Sequence, residues 1–259
     1  MHYGNVGCQL YQKGRFLTRS VVIIFSARYN QDMKTGILHD WQVSGEQARV
    51  IQRKLAIEVS RVYESGNPRY IAGVDISVNR AKGEAIGAVV VLSYPRIEIV
   101  EARVVRGKLE FPYIPGLLSF REAPLILEAC RKLQITPDLF IVDGQGIAHP
   151  RRLGLASHLG ILLDIPTIGC AKSCLCGEYQ LPGDSCGSHS DLVDGEEVIG
   201  AVLRTKTGVK PVYVSIGHKV DLQNAVRWVL ECCRGYRLPE PSRLAHLAAG
   251  GNLPAIKKW

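Results

Sequence analysis

A chain of 259 residues with 46% hydrophobic and 22% charged residues has enough apolar side chains for a sizeable core, which excludes intrinsic disorder. No stretch reaches the ~18 apolar residues of a membrane span, and the apolar run at 21–25 is too brief for a signal peptide, so no membrane partner and a cytoplasmic location are expected. The net charge of +8 and pI near 9.1 favour a polyanionic partner without naming one.

Residues 1–40 show no sustained periodicity and read as a poorly patterned N-terminal extension. The remainder, 41–259, reads as one α/β domain. Ser44-x-x-Gln47 is a capping box. Ala48, Ile51, Leu55, Val59 and Val62 follow it at helical spacing, predicting a helix that ends before Gly66-Asn67-Pro68. Strands are predicted at 70–78, 85–92 and 97–105, with connections short enough for an antiparallel meander. A Pro/Gly loop at 111–118 leads to a helix at 120–133, and a strand at 139–142, a helix near 151–163 and a strand at 167–171 follow. Strand, helix, strand with short connections implies parallel additions to the same sheet. Beyond a Gly/Ser/Asp-rich loop at 177–195, strands are expected at 198–203 and 212–216 and helices at 221–234 and 242–249.

Of the 8 cysteines, Cys130, Cys232 and Cys233 fall in helical patterns and read as reduced core thiols. Cys174, Cys176, Cys186 and His189 fall in the Gly-rich loop, but without the paired C-x-x-C spacing of a zinc site they read as an ordinary loop.

Two acids stand out. Asp75 lies inside the apolar strand Tyr-Ile-Ala-Gly-Val-Asp-Ile, and Asp143 ends the strand Leu-Phe-Ile-Val, where open α/β sheets place their ligands. A carboxylate so placed costs several kcal/mol unless a cation meets it. Asp75 alone also fits an edge-strand acid facing water, and Asp143-Gly144 also fits a plain turn. Gly144 and Gly146 would let a base or phosphate approach bare backbone. Glu122 alone is explained by a capping box in Ser119-Phe-Arg-Glu122. Taken together, three acids from separate elements fit a two-metal phosphoryl-transfer site, with Lys172 able to add positive charge. His149 and His246 are candidates for proton transfer or a supporting role. The loop Pro112-Tyr113-Ile114-Pro115 presents a rigid apolar tip suited to wedging between stacked bases. Arg121, Arg151, Arg152, Lys172, Lys219, Arg237 and Arg243 are candidate phosphate contacts.

These residues sit in longer motifs: Ile71-Ala-Gly-Val-Asp75, Pro112-Tyr-Ile-Pro-Gly-Leu-Leu-Ser-Phe-Arg-Glu122, Asp143-Gly-Gln-Gly-Ile-Ala-His149-Pro-Arg, Ala171-Lys172-Ser173, Gly217-His218-Lys219 and Arg237-Leu-Pro-Glu-Pro. In this order and over residues 44 to about 250, the chain resembles the endonuclease V family. The resemblance implies a ribonuclease H-like α/β fold, with a mixed central sheet of an antiparallel three-strand meander plus parallel strands, flanked by helices. It implies Mg²⁺-dependent hydrolysis, Mn²⁺ also being accepted, of the second phosphodiester bond 3′ to deoxyinosine in DNA, leaving 3′-hydroxyl and 5′-phosphate ends. An inosine-specific endoribonuclease is the alternative, and a non-catalytic nucleic-acid-binding module a further one. By motif, Asp75, Glu122 and Asp143 would bind metal, Lys172 would contact the scissile region and His246 would lie near the metals. Pro112 to Pro115 would be the strand-separating wedge with Tyr113 at its tip, and Gly116, Gly144 and Gly169 would line the base pocket. Nothing in the sequence demands more than a monomer.

Overall fold

The computed structural model describes residues 38–63, 66–79 and 83–253, so nearly all of the expected N-terminal extension lies outside the described residues. The chain runs α1 (Gly45–Ala56), β1 (Tyr70–Asn79), β2 (Glu84–Ser93), β3 (Glu98–Gly107), α2 (Leu118–Arg131), β4 (Leu139–Val142), α3 (Leu155–Leu163), β5 (Thr167–Ala171), β6 (Glu178–Tyr179), β7 (His189–Asp194), β8 (Glu197–Leu203), β9 (Val212–His218), α4 (Leu222–Glu231) and α5 (Glu240–Ala249). The strands form one sheet in the order β3-β2-β1-β4-β5-β9-β8-β7-β6. β1 to β3 are the antiparallel meander, while β4 and β5 join β1 in parallel. This is the ribonuclease H-like mixed sheet expected from the motifs.

The sequence of β4 explains its central place. Phe140 and Val142 pack into the cluster containing Ala72 and Val74 under α2 and α3. Leu139 and Ile141 pack on the other face with Trp228 and Val229 of α4. A strand covered on both faces reads as an unbroken apolar run, as this one does. Helix α5 covers Ala88, Val90 and Leu92 on β2. The start of β1 is tied to that of β4 by Asp138, whose carboxylate accepts from the backbone N–H groups of Arg69 and Tyr70 at 2.8 and 2.9 Å.

Three expectations need correction. Helix α1 has the full capping box at Ser44 and Gln47 but stops at Ala56, and Val62 is 67% exposed, so the last two apolar positions of its pattern do not continue the helix. Residues 177–195 hold β6 and β7, a short edge extension, rather than loop alone. Helix α2 begins at Leu118 with no side-chain cap, so Ser119 and Glu122 do not form a capping box. The Ser119 hydroxyl instead lies 3.1 Å from His158 Nδ1, and that leaves the Glu122 carboxylate for another role.

Candidate active site

Register places the two strand acids side by side. Val74 of β1 pairs with Val142 of the parallel neighbour β4, so the next residues, Asp75 and Asp143, stand at the same level on adjacent strands. Strands so paired lie about 4.8 Å apart. Val142 in turn pairs with Gly169 of β5, whose end delivers Lys172 to the same edge. The Lys172 ammonium donates to Asp143 Oδ2. From the other side, α5 brings His246 Nδ1 to 2.8 Å from Asp75 Oδ2.

That approach depends on Gly73. A Cβ at this position would lie 2.0 Å from the Pro241 carbonyl oxygen at the start of α5. The glycine therefore does not leave backbone bare beside the acid, as its place in the strand suggests; it lets a helix sit on the strand.

Glu122 completes the group from α2. Burial first, then the charge of Asp75 and to a lesser degree that of Asp143, push its carboxyl up to about 8, with Arg121 opposing. Asp75 is also raised, by burial and by Asp143, against the opposing effects of His246 and Lys172. Burial and neighbouring carboxylates thus raise two of the three acids, the mark of a site short of positive charge. An oxygen-only donor set of this kind suits a hard divalent cation better than zinc or copper. Among the described residues no three His, Cys, Asp or Glu side chains stand ready-spaced around a metal. Lys172 occupies Asp143 and His246 occupies Asp75, so ligation requires those contacts to reorganise. The residues present fit a metal by chemistry and neighbourhood.

A pocket of about 370 Å³ opens beside Asp143 and Lys172. Tyr113, Ile114, Pro115, Gly116, Gly144 and His149 line it, together with Gln52, Gln145, Leu155 and Ser173. Tyr113 is 71% exposed at the tip of its loop. Pro112 is exposed but lies outside the pocket wall. Gly169 is not in the wall either: a Cβ there would be 2.4 Å from the amide nitrogen of Gly146 and 2.8 Å from the Gly144 oxygen. It supports the pocket loop from beneath. Gly146 packs likewise against β9, where a Cβ would meet the Ile216 oxygen at 1.9 Å.

His149 is anchored rather than free. Its Nε2 donates to the Gly116 oxygen at 2.9 Å and its Nδ1 accepts from the Arg151 amide at 3.1 Å, and burial lowers it to about 4, so it is neutral at physiological pH. The Gly116 oxygen also accepts from Gln52 Nε2 and Arg151 Nη2. Gly116 has φ +76, a left-handed conformation that favours glycine.

Several candidate phosphate contacts have other duties. Arg152 pairs with Asp194 and Glu197, Lys219 with Asp164, and Arg243 with Glu240. Arg237 donates to the carbonyl oxygens of Lys172, Lys210 and Pro211. Two residues escaped the sequence reading. Gln52 is buried and bonds to the Gly116 and Leu153 oxygens, and Gln145 Nε2 donates to the Ser173 oxygen at 2.9 Å. A glutamine on a helix whose exposed face is charged carries no sequence signal for burial. Gln145 did stand inside a recognised motif.

The model of the endonuclease V family matches residues 53–247. The endonuclease V of Dehalococcoides mccartyi strain BAV1 is 51% identical over 218 residues, covering 84% of this chain and 98% of that protein. Among solved structures, endonuclease V from Streptomyces avermitilis superposes with a TM-score of 0.78 at 40% identity, over 82% of this chain and 94% of that one. Endonuclease V from Ciona intestinalis, solved with a 23mer DNA containing an inosine followed by a ribo-adenosine, matches with a TM-score of 0.70 at 30% identity, over 83% and 100%.

Proposed function

The chain belongs to the endonuclease V family, and from that premise we propose that it is a DNA-repair nuclease that hydrolyses the second phosphodiester bond 3′ to deoxyinosine. The products are a 3′-hydroxyl and a 5′-phosphate. The observation that carries the reading is the convergence of Asp75, Glu122 and Asp143 from three elements beside a pocket walled partly by backbone at Gly116 and Gly144.

Asp75, Glu122 and Asp143 would hold Mg²⁺, with Mn²⁺ as a substitute. When bound, the ion lowers the pKa of water and polarises phosphate oxygens. Tyr113, held between Pro112 and Pro115, wedges into the stack while the hypoxanthine base turns into the pocket. Gly116 and Gly144 let the base lie against peptide groups. Lys172 would turn its ammonium from Asp143 to the scissile phosphate and offset charge gathering there. His246 keeps Asp75 oriented and opposes the rise in its pKa.

The test uses matched inosine-containing DNA and RNA strands with Mg²⁺, Mn²⁺ or chelator. Nicking of DNA immediately 3′ of the inosine's 3′ neighbour, abolished by chelator, is the expected result. Asp75→Ala and Asp143→Asn should each lower the rate by at least about 100-fold, the scale of losing a transition-state charge contact, while strand binding persists. Normal cutting by both variants would remove the metal assignment, and preferential cutting of RNA would transfer the activity to that substrate.

A further inference from the structure

Most of the cations around the pocket are already spent on acids or carbonyl groups, and the exceptions gather in one place. Arg49 and Arg53 stand one helical turn apart on the exposed side of α1, and among the described residues neither has a hydrogen bond or ion pair. Between them in sequence, Gln52 is buried and ties α1 to the pocket wall through the Gly116 and Leu153 oxygens. Arg151 lies against the same anchor, with Nε 2.5 Å from Gln52 Oε1 and Nη2 2.7 Å from the Gly116 oxygen. Among the described residues its guanidinium meets no carboxylate, and after burial the charges of Arg49 and Arg53 are what lower its pKa. Three guanidiniums thus crowd together against their mutual repulsion at a pocket rim. Such an arrangement is stabilised by an anion, and an extended one is met best by a phosphodiester backbone.

The side of the strand follows from chemistry. In the proposed function the cut bond lies 3′ of the inosine, so the strand leaving the pocket past Asp143 and Lys172 is the 3′ strand. The arginines belong to a separate hydrogen-bonded group, that of Gln52, Gly116 and Arg151. We propose that Arg49 and Arg53, with Arg151 behind them, form a track for the phosphates 5′ of the flipped base. This rests on the functional reading above, and deepens it by assigning α1 to substrate. It reads no bases and contributes affinity at every sequence.

The experiment compares wild type, R49E/R53E and R49K/R53K on inosine-containing single strands with long flanks, a trimmed 5′ flank or a trimmed 3′ flank. It measures kcat/KM in Mg²⁺ across a range of salt. R49E/R53E should lose about tenfold in kcat/KM on the long strand, the order expected for two phosphate contacts. The slope of log kcat/KM against log salt should shrink by about two, one per arginine. R49K/R53K, which keeps the charge, should stay near wild type and shows that any loss is not misfolding. Trimming the 5′ flank should weaken wild type and leave R49E/R53E little changed, whereas trimming the 3′ flank should weaken both. An unchanged salt slope in R49E/R53E, or a loss that follows the 3′ flank, overturns the track. If wild type fails to nick the inosine strand, the functional reading falls instead. The track is then decided by equilibrium binding of the same strands, with the same two results counting against it.

Discussion

Gly73 shows how one missing Cβ sets up the site. Any side chain there would run into the Pro241 carbonyl, with its Cβ 2.0 Å from that oxygen and 2.1 Å from its carbon. Helix α5 would have to rise from β1, and His246 would leave Asp75. Gly73→Ala is therefore expected to cost roughly 1–3 kcal/mol as an overpacked contact. It should also slow cleavage, because the histidine that orients Asp75 is displaced. Gly66→Ala is the matched control: among the described residues nothing lies within 4 Å of a Cβ there, and its φ is not in the left-handed region. It should stay within about 0.5 kcal/mol of wild type. Urea unfolding of the two variants beside cleavage rates checks this; equal midpoints for both would show that α5 yields without cost. The sequence announced Asp75 because a carboxylate in an apolar run is conspicuous. It did not announce the reason for Gly73, since a glycine beside an acid looks the same whether ligand or helix covers it.

At the scale of elements, the segment following β5 is the part of the site most dependent on borrowed support. It carries Lys172, and its backbone is held from two sides: Arg237 Nη2 donates to the Lys172 oxygen at 2.7 Å, and Gln145 Nε2 to the Ser173 oxygen at 2.9 Å. Both are positioning residues, since they act on the scissile phosphate only through Lys172. Arg237→Ala and Gln145→Ala should each lower kcat by about 10- to 100-fold, the cost of a misplaced catalytic group, with little change in KM. Because they brace one segment, the double variant should lose less than the product of the two single losses. Full multiplicativity, or a loss confined to KM, would refute the bracing role. Arg237→Lys should not rescue, since one ammonium cannot replace a planar fork reaching three carbonyls. The sequence was legible here in part. The strands at 139–142 and 167–171 were readable to the residue, because strands buried on both faces are continuous apolar runs bounded by polar turns. The hairpin of β6 and β7 was not, since it lies at the sheet edge with mostly exposed or half-buried residues and lacks a clean alternation. Ser119 and Glu122 matched a capping pattern whose spacing held while its geometry did not, because α2 starts two residues earlier, at Leu118, and the buried His158 takes the hydroxyl.

For the molecule as a whole, two buried histidines link stability to acid. His158 is fully buried, with Nδ1 at 3.1 Å from Ser119 Oγ and Nε2 at 2.8 Å from His39 Nε2, and burial followed by the charge of His39 lowers it to about 3. His149 is lowered to about 4. Both begin from 6.5, so between pH 6.5 and about 4 the unfolded chain takes up protons that the folded chain refuses. Their stabilising effect is present above pH 6.5 and drains away as the pH falls towards the folded values, at about 1.4 kcal/mol per pH unit for each group. Glu122 works in the opposite sense: raised to about 8, it binds its proton more tightly in the folded chain, and so favours folding as the pH drops from 8 towards 4.5. The wild-type curve mixes the two, and the useful quantity is its difference from His158→Gln, which keeps a polar side chain at the site and cannot titrate there. With chelator present, the stability of wild type relative to His158→Gln should fall by roughly 2–3 kcal/mol between pH 7 and pH 4.5. Guanidinium unfolding at a series of pH values measures it. Curves that stay parallel through that window would mean that His158 accepts its proton inside the fold, with His39 and Ser119 rearranging to admit the charge.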